Sequence, residues 1–211
     1  MIVYSAIYNG YDNLLEQPDW DGVRYVCYTD DESLTSDQWE IRYEPLRYSH
    51  GRLNSFWWKC HPPFDEPCLW LDGSIQLRQQ LFLREILELL ADADLCAIPH
   101  IERDCIYDEA IFSMWADKYT ALDLGRQIDH YRRSGWPPHA GLWQVGILGW
   151  AATTKARQLG AAWFAHAELF THQTQVSLPP LIDDYDATIA DIPGGFWNNP
   201  NFRYVHHLRD D

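Results

Sequence analysis

Asp72 ends a short apolar run, Leu69-Trp70-Leu71, and is followed at once by Gly73 and Ser74. A run of this kind reads as a buried strand, and Gly73 lets the backbone turn tightly after it. Such a strand delivers one carboxylate to the C-terminal edge of a sheet, where open α/β folds bind ligands. A carboxylate there can hold a divalent metal or a ribose. An Asp-Gly turn closing a hairpin fits the same residues. Two further strand-to-loop junctions carry polar groups, Tyr8-Asn9-Gly10-Tyr11-Asp12 and Thr29-Asp30-Asp31. Tyr8 or Tyr11 can stack a base, and Asp30 can accept from a base or a ribose. Arg52 and Lys59 lie two turns apart on one predicted helix and so share a face, which suits a diphosphate. Two solvated basic residues are the plain alternative. The chain has neither G-x-x-x-x-G-K-[ST] nor G-x-G-x-x-G, so neither a P-loop nor a Rossmann dinucleotide site is supported.

The elements that must position these groups are readable from the hydrophobic pattern. Strands are expected over residues 2–7, 23–29, 39–43, 68–71, 95–98 and 142–148. Helices are expected over 51–60, 81–90, 108–115, 122–133 and 153–170, with another beginning near 171–178. From Pro179 the chain turns rich in Pro, Gly and Asn. It reads there as an ordered, meandering tail that brings His206 and His207 back to the body. Strands alternating with helices indicate an α/β architecture with a mostly parallel central sheet flanked by helices. If the strands are parallel, the three polar loops meet at one edge.

A chain of 211 residues suits one domain with a full-sized core. We expect a nucleotide-binding half over about residues 1–100 and an acceptor-side half over about 101–211. The net charge of −15 opposes nonspecific contact with nucleic acid, which relies on Lys and Arg neutralising phosphates. A nucleic-acid acceptor is disfavoured without being excluded. Eleven Trp and twelve Tyr can serve as stacking platforms for sugars or bases, or simply as core. The five cysteines form no C-x-x-C and sit in apolar contexts, as reduced thiols of a cytoplasmic protein do. No apolar run reaches the ~18 residues of a membrane span.

Taken in order, several segments resemble the plant mucilage-type (MUCI) glycosyltransferase-like domain family. They are Ser5 to Leu14, Val26 to Asp31, Leu69 to Ile75, His100 to Ala110, Gly141 to Ile147 and Thr171 to Ser177. The resemblance implies a GT-A-like domain that transfers sugar from a nucleotide sugar. It places Asp72 at the usual metal position, where relatives carry Asp-x-Asp. Here Ser74 replaces the second carboxylate, and His206 or His207 is placed to complete a site for Mn²⁺ or Mg²⁺, whose preference is for hard oxygen ligands. Arg103 can clamp a sugar or phosphate, with a helix N-terminus as the plain alternative for its acidic neighbours. Where the family shows Arg-Asp-Gln-x-Ser, this chain has Gln173 and Thr174 in the first two places, while Gln175 and Ser177 match. Trp143 and Gln144 can line the acceptor side.

The reading is therefore a glycosyltransferase with a UDP-linked donor as the expected case and a glycan or other hydroxyl acceptor. Asp72, Arg103 and Gln175 are its candidate catalytic residues. Tyr8, Asp30, Arg52, Lys59, Asp72 and Ser74 are its candidate donor-binding residues. The rival classes are a nucleotidyltransferase, a nucleotide-sugar hydrolase and a non-catalytic nucleotide- or sugar-binding domain.

Overall fold

The computed structural model describes residues 1–115 and 120–205. Four parallel strands form one side of the sheet: β1 (Ile2–Ile7), β2 (Arg24–Thr29), β3 (Trp39–Tyr43) and β4 (Cys68–Leu71). The other side holds β6 (Leu95–Pro99), β7 (Trp143–Trp150) and β8 (Ile189–Asp191). The order across the seven strands is β3-β2-β1-β4-β7-β6-β8, with β7 antiparallel to both β4 and β6. A second sheet of two strands pairs β5 (Ile75–Leu77) with β9 (Phe202–Tyr204). The expected mixed α/β sheet, mostly parallel and flanked by helices, is present.

Side-chain alternation along the strands sorts the core into two faces. Tyr4, Ala6, Cys68 and Trp70 point to the face covered by α1 (Gly51–Cys60), α5 (Thr154–Leu169) and α6 (Thr174–Asp184). Val3, Ile7, Leu69 and Leu71 point to the other, covered by α2 (Gln80–Leu89) and the two-stranded sheet. A third cluster joins α3 (Ile106–Ser113), α4 (Ala121–Arg133) and Val176 of α6. Many of the aromatic residues are structural: Tyr28 stacks on Trp58 with ring centroids 3.7 Å apart, and both are buried.

The predicted strands and helices recur with ends shifted by a few residues, and three differences stand out. Pro179 and Pro180 lie inside α6 rather than ending it. Proline there removes intrahelical bonds, but residues 176–181 are all buried, and that burial holds the helix. The tail after α6 contains two short strands, β8 and β9, and β5 was also unforeseen. Three-residue strands carry too little pattern to be read. The turn after Asp72 is real, closed by the Ile75 N–H donating to the Asp72 carbonyl at 3.0 Å. Gly73 does not adopt the left-handed conformation there. It is required for space, since a Cβ would lie 2.9 Å from Asp12 Oδ2.

Gly160 of α5 packs directly on the end of α1, where a Cβ would collide with the Cys60 carbonyl oxygen. Backbone cannot give way as a flexible side chain can, so Gly160→Ala should destabilise the fold by about 1–3 kcal/mol. Urea denaturation read by tryptophan fluorescence would measure it. The five cysteines are all buried and free, and burial pushes the Cys27 and Cys96 thiols up to about 12. Native protein should therefore resist alkylation at pH 8, and all five thiols should react once it is denatured, as intact mass would count.

Candidate functional site

A cavity of about 540 Å³ opens where the first and fourth strands end, within the usual range for small-ligand sites. Its wall includes Tyr11 and Asp12 after β1, His50 and Arg52 at the start of α1, Lys59 near the end of α1, and Trp70 and Asp72 from β4. His172 and Thr174 reach the wall from the second half of the chain. Strand alternation puts Asp72 on the same face as Trp70, which is the face α1 covers. The Trp70 indole N–H donates to Asp72 Oδ1 at 2.6 Å. The Lys59 ammonium meets the same oxygen at 2.7 Å.

Lys59 is fixed at its other end too. Its carbonyl accepts from the Trp150 indole at 2.9 Å and from the Tyr4 hydroxyl at 3.3 Å. The residue is 7% exposed, so its stem is buried while its ammonium reaches the cavity. The start of α1 is set by Asn54, which is buried and fully bonded. Its Oδ1 accepts from the Arg47 and Tyr48 N–H groups, and its Nδ2 donates to the Tyr48 and His50 carbonyls.

The donor-side candidates divide. Arg52, Lys59 and Asp72 come together on the cavity wall as their spacing suggested. Tyr8 contributes to that wall, but it is 2% exposed and its hydroxyl accepts from the Trp58 indole at 2.8 Å. Burial raises that hydroxyl to about 12. Its ring belongs to the core, whereas Tyr11 lines the cavity with the Arg52 guanidinium 5.8 Å over its ring. Asp30 does not line the cavity. Its carboxylate accepts from the Asn9 N–H at 3.0 Å, and so holds Asn9 in the left-handed conformation at φ 56°. Asn9 in turn lies over Gly51 at the start of α1. Ser74 is buried behind the turn and is not on the wall.

Arg103 and Gln175 are likewise off the wall. Arg103 Nε donates to Glu109 Oε2 at 2.6 Å, and its guanidinium lies 4.1 Å over the Phe112 ring. Glu109 Oε1 accepts from Gln173 Nε2 at 2.8 Å. Arg103 therefore acts through Glu109 and Gln173, fixing the segment that presents His172 and Thr174. Gln175 Nε2 donates to the Trp143 carbonyl at 3.1 Å, and the Trp143 indole donates to Asp191 at 2.8 Å. His206 and His207 lie outside the described residues.

The sequence reading passed over the histidine pair. His50 and His172 face each other with ring centroids 4.2 Å apart. His172 Nδ1 is buried with no hydrogen-bond partner among the described residues. Burial lowers the His172 imidazole to about 4, with His50 and Arg52 adding repulsion and Asp123 opposing it. Nothing local in the sequence marks this pair, because its members come from distant segments.

Two carboxylates, Asp12 and Asp72, line the cavity, and a divalent cation fits poorly at Asp72. One of its oxygens already has an ammonium and an indole N–H on it. Two unit charges 4 Å apart repel by about 4 kcal/mol at an effective dielectric of 20, and a divalent ion doubles that. Ser74, in the place of a second carboxylate, does not reach the cavity. Among the described residues, the trio with metal-ligand spacing is Cys105, Asp108 and His139, none of which lines the cavity.

No protein-family model and no curated protein matches the sequence. Among solved structures, the chain is similar to the apo structure of WbbM, a bifunctional glycosyltransferase. The match has a TM-score of 0.51 and 8% sequence identity, and it covers 91% of this chain and 38% of that one. The fold is glycosyltransferase-like. The chain thus spans well under half the length of this neighbour. No helix among the described residues is long and apolar enough to cross a membrane.

Because His172 is held neutral, its lowered value sets a pH dependence of stability. Its contribution is complete above pH 6.5, the ordinary value, and is lost as pH falls from there towards about 4. Melting temperature should drop across that window, and His172→Gln should flatten the drop. His61, His100 and His166 are lowered by burial as well, so part of the slope should remain. A thermal-melt series from pH 7.5 to 4 would check it.

Proposed function

We propose that the chain is an enzyme that transfers a sugar from a nucleotide sugar, with UDP as the expected nucleotide, to a hydroxyl acceptor. The observation that carries this reading is the cavity at the carboxyl edge that joins Arg52, Lys59 and Asp72 to the Tyr11 ring. Cationic groups and a stacking ring in one cleft suit a nucleoside diphosphate. The first turn of α1 carries no acidic residue, so its N–H groups add positive partial charge at the same place. The glycosyltransferase-like fold agrees with this reading, as does the ordered resemblance to the mucilage-type family.

In this proposal, residues of about 1–100 supply the donor side and those of about 101–211 the acceptor side. Arg52 and Lys59 stabilise charge on the departing diphosphate, a gain that grows in the transition state. Asp72 holds Lys59 in place. Tyr11 stacks the base. Arg103 and Gln175 are positioning residues that keep the His172–Thr174 segment and Trp143 where a donor sugar and an acceptor would meet them.

Removing the Arg52 charge should weaken UDP binding by roughly 1.5–3 kcal/mol, the range for hydrogen bonds to charged groups. Uridine, which lacks the phosphates, should be much less affected. Calorimetry of Arg52→Ala with both ligands tests this, and an unchanged UDP affinity would count against the cavity as a diphosphate site. A thermal-shift screen of nucleoside diphosphates and nucleotide sugars should find one that raises apparent stability by about 2.7 kcal/mol at a hundredfold excess over Kd. With that donor, product analysis separates transfer from hydrolysis: sugar released equally well without any acceptor is the signature of a hydrolase.

A further inference from the structure

We propose that Lys59 takes the place of a divalent cation, so that this chain binds a nucleoside diphosphate without metal. The inference rests on the nucleotide-sugar reading above and deepens it. The Lys59 ammonium sits on Asp72 Oδ1 at 2.7 Å, at the end of the strand that enters the cavity. It also lies 5.2 Å over the Trp70 ring, whose own indole N–H donates to the same carboxylate oxygen. The position is built rather than incidental. Its backbone carbonyl is held by two buried side chains, Trp150 and Tyr4. Gly160 leaves room for that stretch of backbone to sit against α5.

Charge balance agrees: the wall carries Asp12 and Asp72 against Arg52 and Lys59. A divalent cation between two carboxylates is a neutral unit that still offers a positive face to phosphate. A lysine on one carboxylate is neutral too and offers the same face. Replacing the second carboxylate by Ser74 and the cation by an ammonium therefore changes both terms together. Ser74 alone would leave a weakened metal site, and Lys59 alone would leave an excess of positive charge. An ammonium is a compact point charge with three donors, enough to hold Asp72 and still donate to a phosphate oxygen. Arg52, at the other end of the same helix face, supplies a second cation to the cavity.

Calorimetry of the full chain with UDP, GDP and ADP, first in EDTA and then with added Mn²⁺, tests this. The expected result is that one diphosphate binds with affinities within about twofold in the two conditions. Lys59→Met should lose roughly tenfold or more of that affinity in EDTA and, with Asp72 freed, should gain a dependence on Mn²⁺. Lys59→Arg should keep binding in EDTA. Binding by the wild type that is tenfold or more tighter with Mn²⁺ overturns the inference and leaves the nucleotide reading standing. Wild-type affinity in EDTA for a folded Lys59→Met protein also overturns it. No binding of any diphosphate in either condition overturns the nucleotide reading and the inference with it. Circular dichroism shows whether Lys59→Met folds. If it does not, the wild-type comparison and Lys59→Arg decide.

Discussion

The ion pair of Lys59 and Asp72 ties the helix layer to the sheet at the point where the cavity opens. A charge with its stem buried needs a partner, and removing Asp72 would strand the Lys59 ammonium. The requirement propagates outward. For Lys59 to reach Asp72, the end of α1 must lie close over β1 and β7, where Tyr4 and Trp150 hold its carbonyl. For α1 to lie there, α5 must approach without a side chain, which Gly160 permits. For Asp72 to face α1, the register of β4 between β1 and β7 must be kept, and the Asp72 N–H adds a bond to the Gly146 carbonyl at 2.8 Å. One short contact thus depends on helix packing, sheet register and two glycine-enabled approaches, at Gly160 and Gly73.

Much of this frame was legible in the sequence. Long periodic helices and apolar strands announce themselves by pattern, and parallel strands carry their following loops to one edge. Arg52 and Lys59 were legible as a pair because helical spacing is strict. What could not be read is which polar residues the fold consumes. Tyr8, Asp30 and Arg103 have the right chemistry, yet each is committed to a partner within the fold: Trp58 and Asn9, distant in sequence, and Glu109, six residues further on. The same holds for Lys59, whose partner Asp72 was read as a ligand for a metal rather than for an amine. The histidine pair depends on how the two halves pack, and the Gln173–Glu109 bond on how segments within the second half pack. Pro179 and Pro180 misled for a related reason: local propensity was outweighed by burial of the whole segment.

The likeness to a solved glycosyltransferase reaches across most of this chain with little sequence in common. The likeness is one of fold, and a fold does not carry a site with it. The frame explains why ligand-facing loops gather where they do. The furnishing is this chain's own: tyrosine and arginine at the mouth, an amine on the aspartate, and two histidines from opposite halves. The wall segment at His172 is pinned through Gln173 to Glu109 and Arg103, so the second half joins the cavity through a rigid brace.

The small sheet of β5 and β9 lies directly behind the turn that bears Asp72, and the Val205 N–H donates to the Ser74 carbonyl at 2.7 Å. That pairing closes a loop running from residue 75 to residue 204, so nearly two thirds of the chain lies within it. Closure of so long a loop is slow, and two strands of three residues have little stability of their own. The turn that holds the charge at the cavity mouth is completed by a contact of long sequence separation, and Ile75, Leu77 and Phe202 seal that contact into the core. Exchange of the amides around Ser74 and Ile75 therefore reports the docking of the chain's far end.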